Sequence, residues 1–370
     1  MKETVIFIGG FDAQYQNYYL DTFLVPGLLS QLKGIDIKLA PEDVKIPGQT
    51  GKRFFCQLEK KKKTIDIYEV YWDDLVDRLS TKNIRQQFSR GLGMIFFWLS
   101  HCWKIMNISP IFFFQTSTAL LLMLLWYFGI VVLVLSALGN QQDTTSVPAF
   151  LEDLLEPVIS WADGAGLQIW LTISTLLALS PHSINRVTDF TDFIANYFRD
   201  ESTRGRPPVR ALLRNRIKQA VDNVNSEGAY DQITILAHSM GGLIATDFLA
   251  DYRSQKGCPV LFITLGSPLE ISCSMTRWVK LEIKKCLENP HIERWDDFHS
   301  SQDWLCSKVP VPNGQYQGKL VSQRVSFKVS LLKQMSGDSH LEYFFDPKVL
   351  RHLVLGGSAQ RLAAVARQRQ

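Results

Sequence analysis

The stretch that decides the fold is ITILAHSMGG, residues 233–242. Its first half is an apolar run that predicts a buried strand, and the residues from Gly241 onward predict a helix. The chain must turn sharply at Ser239 between them, and such a turn leaves room only for small residues two positions before and two positions after the serine. Ala237 and Gly241 meet that requirement. The pattern therefore predicts a strand, a tight turn that carries an exposed serine, and a helix.

Short apolar runs alternate with helical periodicity on both sides of this stretch. Strands are predicted over residues 5–8, 35–39, 64–70, 232–237 and 259–265. Helices are predicted over residues 21–31, 209–224 and 241–252. Strands that alternate with helices are typical of a parallel sheet. The expected class is α/β, with a mainly parallel sheet flanked by helices.

A long apolar segment interrupts this pattern. No Asp, Glu, Lys or Arg occurs between Lys104 and Asp143, and residues 111–138 are almost wholly apolar. This run is longer than the about 20 residues that cross a bilayer, so it predicts a transmembrane helix. A shorter uncharged run, residues 164–181, is a weaker candidate. A third apolar stretch, residues 91–103, is too short to span and is predicted to lie in the membrane interface.

Topology strengthens the weaker candidate. If the strands before and after the apolar segment share one sheet, both ends of the segment emerge on the same side of a bilayer. The number of crossings is then even, which predicts a helical hairpin at about 111–138 and 161–181. The expected organisation is an N-terminal part of the sheet domain at 1–90, an apolar insert at 91–185, and a C-terminal part at 186–370. An unusually large apolar lid on a soluble protein is the alternative.

The charges around the hairpin predict its orientation. Residues 139–157 contain four acidic and no basic residues, whereas residues 78–104 and 186–206 together carry nine Lys and Arg. Cytoplasmic flanks carry the excess of Lys and Arg in membrane proteins. The sequence therefore predicts a multi-pass membrane protein whose sheet domain is cytoplasmic.

Two further motifs accompany the serine turn and carry a family resemblance. IGGFD, residues 8–12, follows the first strand, and TLGSP, residues 264–268, follows the strand after the serine. With the serine turn, they make the chain resemble the lipase and esterase branch of the α/β-hydrolase superfamily. The resemblance covers roughly residues 1–80 and 205–350, and excludes the apolar insert. Two positions depart from the family pattern: Gly9 stands where a histidine is frequent, and Ala237 replaces the first glycine of G-x-S-x-G.

The resemblance implies a catalytic triad in the chain order serine, acid, histidine. Ser239 is then the nucleophile. His340, on a loop after the strand-like run 320–332, is the expected general base. Asp303 is the favoured acid, and Asp296 and Asp297 are its rivals.

The resemblance also implies an oxyanion hole. A reaction of this kind needs no metal ion and no organic cofactor. The expected donors are the backbone N–H groups of Met240 and Phe11, and Gly241 and Gly242 are the glycines of the turn. A net charge of +4 is too small to indicate nucleic-acid binding without a basic cluster. The six cysteines have no metal-ligand spacing.

The function implied is that of a membrane-anchored serine hydrolase of carboxylic esters. A lipase or phospholipase is favoured, with a lipid or acyl-ester substrate and the bilayer as partners. An acyl-protein or acyl-CoA thioesterase remains an alternative, and so does an inactive scaffold that keeps the hydrolase fold. The residues do not determine the acyl chain, the leaving group or the oligomeric state.

Overall fold

A computed structural model describes residues 1–11, 13–32, 34–58, 61–77, 83–139, 167–178, 184–200, 207–227, 230–254, 260–311 and 315–356. The chain divides into two compact units. The first, called here the sheet unit, comprises Met1–Arg78, Asn107–Ser109 and Asn196–Gln370. The second, called the apolar unit, comprises Leu79–Met106 and Pro110–Ala195. The insert expected over residues 91–185 lies within the range of the apolar unit, apart from residues 107–109.

Nine strands of the described residues form one sheet in the sheet unit. Their order across the sheet is β2-β4-β5-β1-β6-β7-β8-β9, with β3 paired to β4. The strands are β1 Lys2–Ile8, β2 Asp36–Leu39, β3 Val44–Ile46, β4 Gln49–Leu58, β5 Lys61–Glu69, β6 Gln232–His238, β7 Val260–Leu265, β8 Ile292–His299 and β9 Leu320–Arg324.

The six strands from β5 to β9 along this order are parallel. Strand β1 lies between β5 and β6, so strands from both sides of the apolar unit share one sheet. The expected α/β class with a mainly parallel sheet is confirmed. All residues of β6 and β7 are buried, as expected for strands covered on both faces.

The β2–β4 edge is antiparallel, and the sequence pattern did not predict β3 or β4. In β4, Phe54 and Cys56 are buried whereas Phe55 between them is exposed. This alternation is typical of a half-solvated strand. Gly51, Lys52 and Arg53 precede Phe54 in this strand and interrupt the apolar pattern. One of them, Arg53, pairs with the buried Asp66 of β5 at 2.6 Å.

The helices are α1 Val25–Gln31, α2 Asp73–Asp77, α3 Ile84–Met106, α4 Pro110–Gly139, α5 Leu167–Ala178, α6 Ile184–Arg199, α7 Val209–Glu227, α8 Met240–Ala250, α9 Leu269–Met275, α10 Arg277–Glu288, α11 Leu331–Ser336 and α12 at 347–356. A π-helical turn, Leu20–Leu24, precedes α1, and a 3₁₀ helix, Asp338–Phe345, follows α11.

The prediction of one strand-like run over 320–332 is wrong in its second half. Strand β9 ends at Arg324, and α11 begins at Leu331. Local capping explains the difference. The Ser330 hydroxyl accepts the Lys333 N–H, and Gly337 ends the helix with a φ of 87°.

Close helix contacts build the apolar unit. Met94 and Ile95 of α3 form one buried cluster with Leu120, Met123 and Tyr127 of α4. Helix α5 lies against α4, because a Cβ on Gly129 would come within 2.1 Å of the Trp170 ring. Helix α6 pairs with α3 through Asp189 and Asp192, which both bind Arg90.

Within the described residues, one helix has the length and composition to cross a bilayer: the Pro110–Val131 part of α4. The second expected span is described only as α5, whose 12 residues are fewer than the about 20 required. Residues 161–166 and 179–181 of that span lie outside the described residues, as does the connection at 140–160. The described residues therefore support one span and do not support the multi-pass prediction.

Candidate active site

Ser239 lies between the end of β6 and the first residue of α8, in a strained conformation. Its φ is 55° and its ψ is −129°, a region that residues with side chains rarely adopt. Such a conformation costs about 1–3 kcal/mol and persists only where the surrounding structure imposes it. Ser239 N–H donates to the Leu265 carbonyl of β7 at 2.9 Å, which fixes the turn against the neighbouring strand.

The two glycines after Met240 allow α8 to approach the sheet closely. A Cβ on Gly241 would lie 2.2 Å from the Ile8 carbonyl oxygen at the end of β1. A Cβ on Gly242 would lie 2.4 Å from Ser267 Oγ in the loop after β7. No side chain fits at these distances. The glycines thus allow α8 to start directly after Ser239.

His340 and Asp303 form a buried hydrogen-bonded pair. The ring N–H at Nδ1 of His340 donates to Asp303 Oδ2 at 2.7 Å. The other ring nitrogen, Nε2, is buried and has no hydrogen-bond partner in the described part of the chain. Asp303 lies in the turn after β8, and His340 lies in the 3₁₀ helix. The two loops are joined again by Ser339, whose hydroxyl donates to the Gln302 carbonyl at 2.7 Å.

Asp303 is ionised in this pair. Burial by itself would raise the pKa of the carboxyl, since it disfavours the charge. The charge and hydrogen bond of His340 oppose this, together with hydrogen bonds from Cys306 and from the Leu305 N–H. The net effect holds the pKa of Asp303 below its usual value. The carboxylate can therefore orient the imidazole and stabilise a positive charge on it.

The two rival acids lie in β8 and have other partners. Asp297 accepts hydrogen bonds from Thr264 Oγ1 at 2.8 Å, Ser322 Oγ at 2.9 Å and the Val309 N–H at 3.2 Å. Asp296 binds Arg294 and His352, each at 2.9 Å. Among the three candidates, the structure places Asp303 against His340.

The loop after β1, Gly9 to Phe11, lies directly beside Ser239. A Cβ on Gly10 would come within 2.9 Å of Ser239 Cβ. This places Phe11, one expected oxyanion donor, in a loop that contacts the serine turn. Met240, the other, is the first residue of α8, and the first N–H groups of a helix have no carbonyl partner within it.

Two aromatic side chains outside the expected set of site residues hold this loop. The buried indole of Trp72 donates to the Gly9 carbonyl at 3.0 Å. The Tyr19 hydroxyl donates to the Phe11 carbonyl at 2.6 Å. One signal pointed to Trp72: it follows β5 at the carboxyl edge of the sheet, where loops form sites in α/β proteins. We find no such signal for Tyr19.

A buried acid supports Tyr19 in turn. Glu69, the last residue of β5, accepts the Leu20 N–H at 2.8 Å. Burial raises the pKa of Glu69 to about 7; the backbone N–H groups of Leu20 and Tyr19 oppose the rise, and the charges of Asp21 and Asp73 add to it. Glu69 therefore changes its ionisation near neutral pH beside the π-helical turn that carries Tyr19.

His238, next to Ser239 in sequence, packs under the His340 loop. Its Nε2 lies 2.9 Å from the His340 carbonyl oxygen, and the two rings are 4.5 Å apart. Burial, and then the charge of His340, lowers the pKa of His238 to about 3. His238 is therefore neutral at physiological pH and donates to the backbone of the loop that carries His340.

No family model, curated protein sequence or solved structure matches the chain. No cluster of three or more His, Cys, Asp or Glu in the described residues could hold a metal ion. A serine in a strained turn at a helix N-terminus and an imidazole oriented by a buried carboxylate are the groups that nucleophilic acyl transfer requires.

Replacing Glu69 by Gln should flatten the pH dependence of stability. The folded state raises the pKa of Glu69 from 4.5 to about 7, so its contribution is favourable below pH 4.5 and is lost as the pH rises through 7. We expect the wild type to lose about 2 kcal/mol of unfolding free energy between about pH 5.5 and about pH 8.5 through this group. Gln keeps an acceptor for the Leu20 N–H but has no proton to lose.

Urea unfolding over this pH range measures the effect. The matched control is Glu42→Gln, which removes an exposed carboxylate and should leave the wild-type pH dependence unchanged. An equal slope in the wild type and Glu69→Gln would contradict the assignment.

Proposed function

We propose that the chain is a membrane-anchored serine hydrolase that cleaves carboxylic esters. The observation that carries the proposal is the buried His340 ring, which binds Asp303 at 2.7 Å through Nδ1 and leaves Nε2 without a partner in the described residues. An imidazole held this way can act as a general base toward a serine hydroxyl. The strained Ser239 turn supplies that hydroxyl. The resemblance to α/β-hydrolases is consistent with the parallel sheet and with Ser239 after its central strand β6.

The proposed mechanism has two acyl-transfer steps. His340 Nε2 takes the proton of Ser239 Oγ as the oxygen attacks the ester carbonyl carbon. The Met240 and Phe11 N–H groups stabilise the oxyanion, and His340 then protonates the departing alcohol. Water, deprotonated by His340, attacks the acyl-enzyme carbonyl, and His340 returns the proton to Ser239 Oγ as the acid is released. Asp303 keeps the imidazole in the required tautomer and stabilises the imidazolium.

The substrate class follows from the apolar unit. Helix α3 exposes Phe96, Leu99, Trp103 and Met106, whose spacing of three, four and three residues places them on one face. An exposed apolar stripe rich in aromatic residues is typical of a helix that lies in a membrane interface. Helix α4 adds the candidate span Pro110–Val131. A chain held at a bilayer meets lipid esters, so a lipase or phospholipase is the activity that we favour.

The hairpin topology is part of the proposal. Strands β5 and β6 lie on either side of β1, although the apolar unit separates them in the chain. Both ends of the apolar segment therefore return to one sheet, which favours an even number of crossings. The contact between Gly129 of α4 and Trp170 of α5 supports a second helix beside the first. The charge distribution favours a cytoplasmic sheet unit.

Ser239→Ala should abolish ester hydrolysis and labelling by a fluorophosphonate. The hydroxyl is the group that reacts, and the small alanine side chain preserves the turn. The matched control is Ser267→Ala, which removes a neighbouring buried hydroxyl that has no hydrogen-bond partner in the described residues. We expect Ser267→Ala to be labelled like the wild type. Labelling that survives in Ser239→Ala would reassign the nucleophile, and a folded wild type without labelling would favour the scaffold alternative.

Asp303→Asn should lower kcat by about 10²–10⁴-fold, because the amide cannot hold the required imidazole tautomer. Asp297→Asn is the matched control: it disrupts hydrogen bonds to Thr264, Ser322 and the Val309 N–H, so it should reduce stability. We expect kcat of the folded Asp297→Asn protein to stay close to wild type. Steady-state kinetics on a short water-soluble ester, with thermal unfolding of each variant, separate the two effects. The reverse pattern would make Asp297 the acid.

Topology mapping tests the hairpin. A glycosylation acceptor placed near Thr144 should be modified only from the non-cytoplasmic side, because an even number of crossings leaves this connection opposite the sheet unit. Tags at both chain ends should be accessible only from the cytoplasm. If Thr144 and both ends report the same side, the apolar unit is a lid and not a membrane hairpin.

A further inference from the structure

Helix α11 presents three apolar side chains to solvent. Leu331 is 70% exposed, Leu332 79% and Met335 48%. Residues three and four positions apart share one helix face, so Met335 joins both leucines in a single patch. Leu332 is the most exposed large apolar side chain of the described residues. A clustered apolar surface of this kind marks an interaction site more often than scattered exposed residues do.

The patch is held rigidly beside the proposed active site. Ser330 and Gly337 cap the two ends of α11. The Trp304 indole, next to Asp303 in the chain, donates to the Gln334 carbonyl at 2.8 Å. Lys333 of α11 forms an ion pair with Glu342, two residues after His340. The exposed face thus belongs to the same structure that carries the triad acid and base.

Trp304 also fixes the point from which the candidate span starts. The Ser109 hydroxyl donates to the Trp304 carbonyl at 2.8 Å, and both residues belong to the sheet unit. Pro110, the next residue, begins α4. Met106, three residues before Ser109, ends α3 and is the last residue of its exposed apolar stripe. One residue, Trp304, therefore contacts both α11 and the short link between the proposed interfacial and membrane-spanning helices.

We propose that Leu331, Leu332 and Met335 form a lipid-contacting surface of the sheet unit, and that the bilayer is its occupant. The inference rests on the membrane placement in the proposed function. If α4 enters a bilayer at Pro110, the chain meets the membrane at the residue after Ser109, and Ser109 is hydrogen-bonded to Trp304 within the sheet unit. Trp304 in turn binds α11, so the α11 patch lies close to the point at which the chain enters the membrane. Membrane contact then reaches the loop that carries His340. A lipid ester at the surface would meet the catalytic groups without first crossing water.

Photocrosslinking of the wild-type chain tests the contact without requiring activity. The full-length protein is reconstituted into phosphatidylcholine vesicles that contain a phospholipid with a diazirine in its acyl chain. After irradiation, mass spectrometry should find lipid adducts on residues 331–335 and on α4. The control position is Leu281 of α10, which is 59% exposed and should carry no adduct.

Adducts on α4 but not on α11 would overturn the inference and leave the membrane anchor intact. Adducts on neither helix would overturn the membrane placement, and the inference with it. In a parallel reaction with a lysine-reactive crosslinker, a crosslink from Lys333 of α11 to a second protein chain, without lipid adducts on α11, would assign the patch to a protein partner instead.

Paired substitutions test what the surface does. The double variant Leu331→Ser with Leu332→Ser changes exposed side chains that make no part of the triad, so hydrolysis of a short water-soluble ester should be unchanged. Hydrolysis of a long-chain ester in vesicles should fall about tenfold through a higher apparent KM, because the loss is one of binding. Leu281→Ser, the matched control, should leave both activities unchanged.

Equal loss on both substrates would show that α11 only supports the His340 loop, and no loss on vesicles would refute the lipid contact. A wild type inactive on both esters would refute the proposed hydrolase function. That outcome is distinct, because the crosslinking result does not depend on catalysis.

Discussion

The contact between α8 and the ends of β1 and β7 is the constraint on which the candidate site depends. Gly241 and Gly242 let the helix backbone come so close that a Cβ at either position would overlap the Ile8 carbonyl or Ser267. The chain has one residue, Ser239, in which to turn from β6 into that helix. It adopts a φ of 55° as a result. Every residue of α8 is buried, and this packing offsets the about 1–3 kcal/mol of strain.

Burial and local hydrogen bonds set the electrostatics around the serine turn. Burial favours the neutral forms of groups with weak compensation: His238 is neutral at physiological pH, and the pKa of Glu69 rises to about 7. Asp303 keeps its charge because His340 faces it at 2.7 Å. The resulting site has one buried carboxylate–imidazole pair next to a loop that Tyr19 and Trp72 hold in place. This is the environment in which an imidazole can exchange protons with a serine and a substrate.

The apolar unit is inserted in the chain between strands that nevertheless belong to one sheet. Strand β1 pairs with β5 on one side and with β6 on the other, although more than 160 residues separate those two strands in the chain. The sheet therefore closes only after the whole apolar segment has been made. In the described residues that segment packs through glycine contacts and the Arg90 ion pairs, and exposes apolar side chains along α3 and α4. This exposed apolar surface is the basis of the proposed membrane placement.

The sequence by itself determined the features whose signals are local: the strand, serine turn and helix at 233–242, the mainly parallel α/β class, and one apolar helix at the length of a bilayer. It left open the choice among Asp296, Asp297 and Asp303, because three carboxylates within eight residues have similar local patterns. The structure keeps Asp296 and Asp297 in β8, which ends at His299, and places Asp303 in the following turn, where it meets His340. Trp72 meets the loop after β1, and Glu69 meets Leu20, through the parallel register of β1 and β5. Such contacts join residues that are remote in the chain, and no local propensity encodes them.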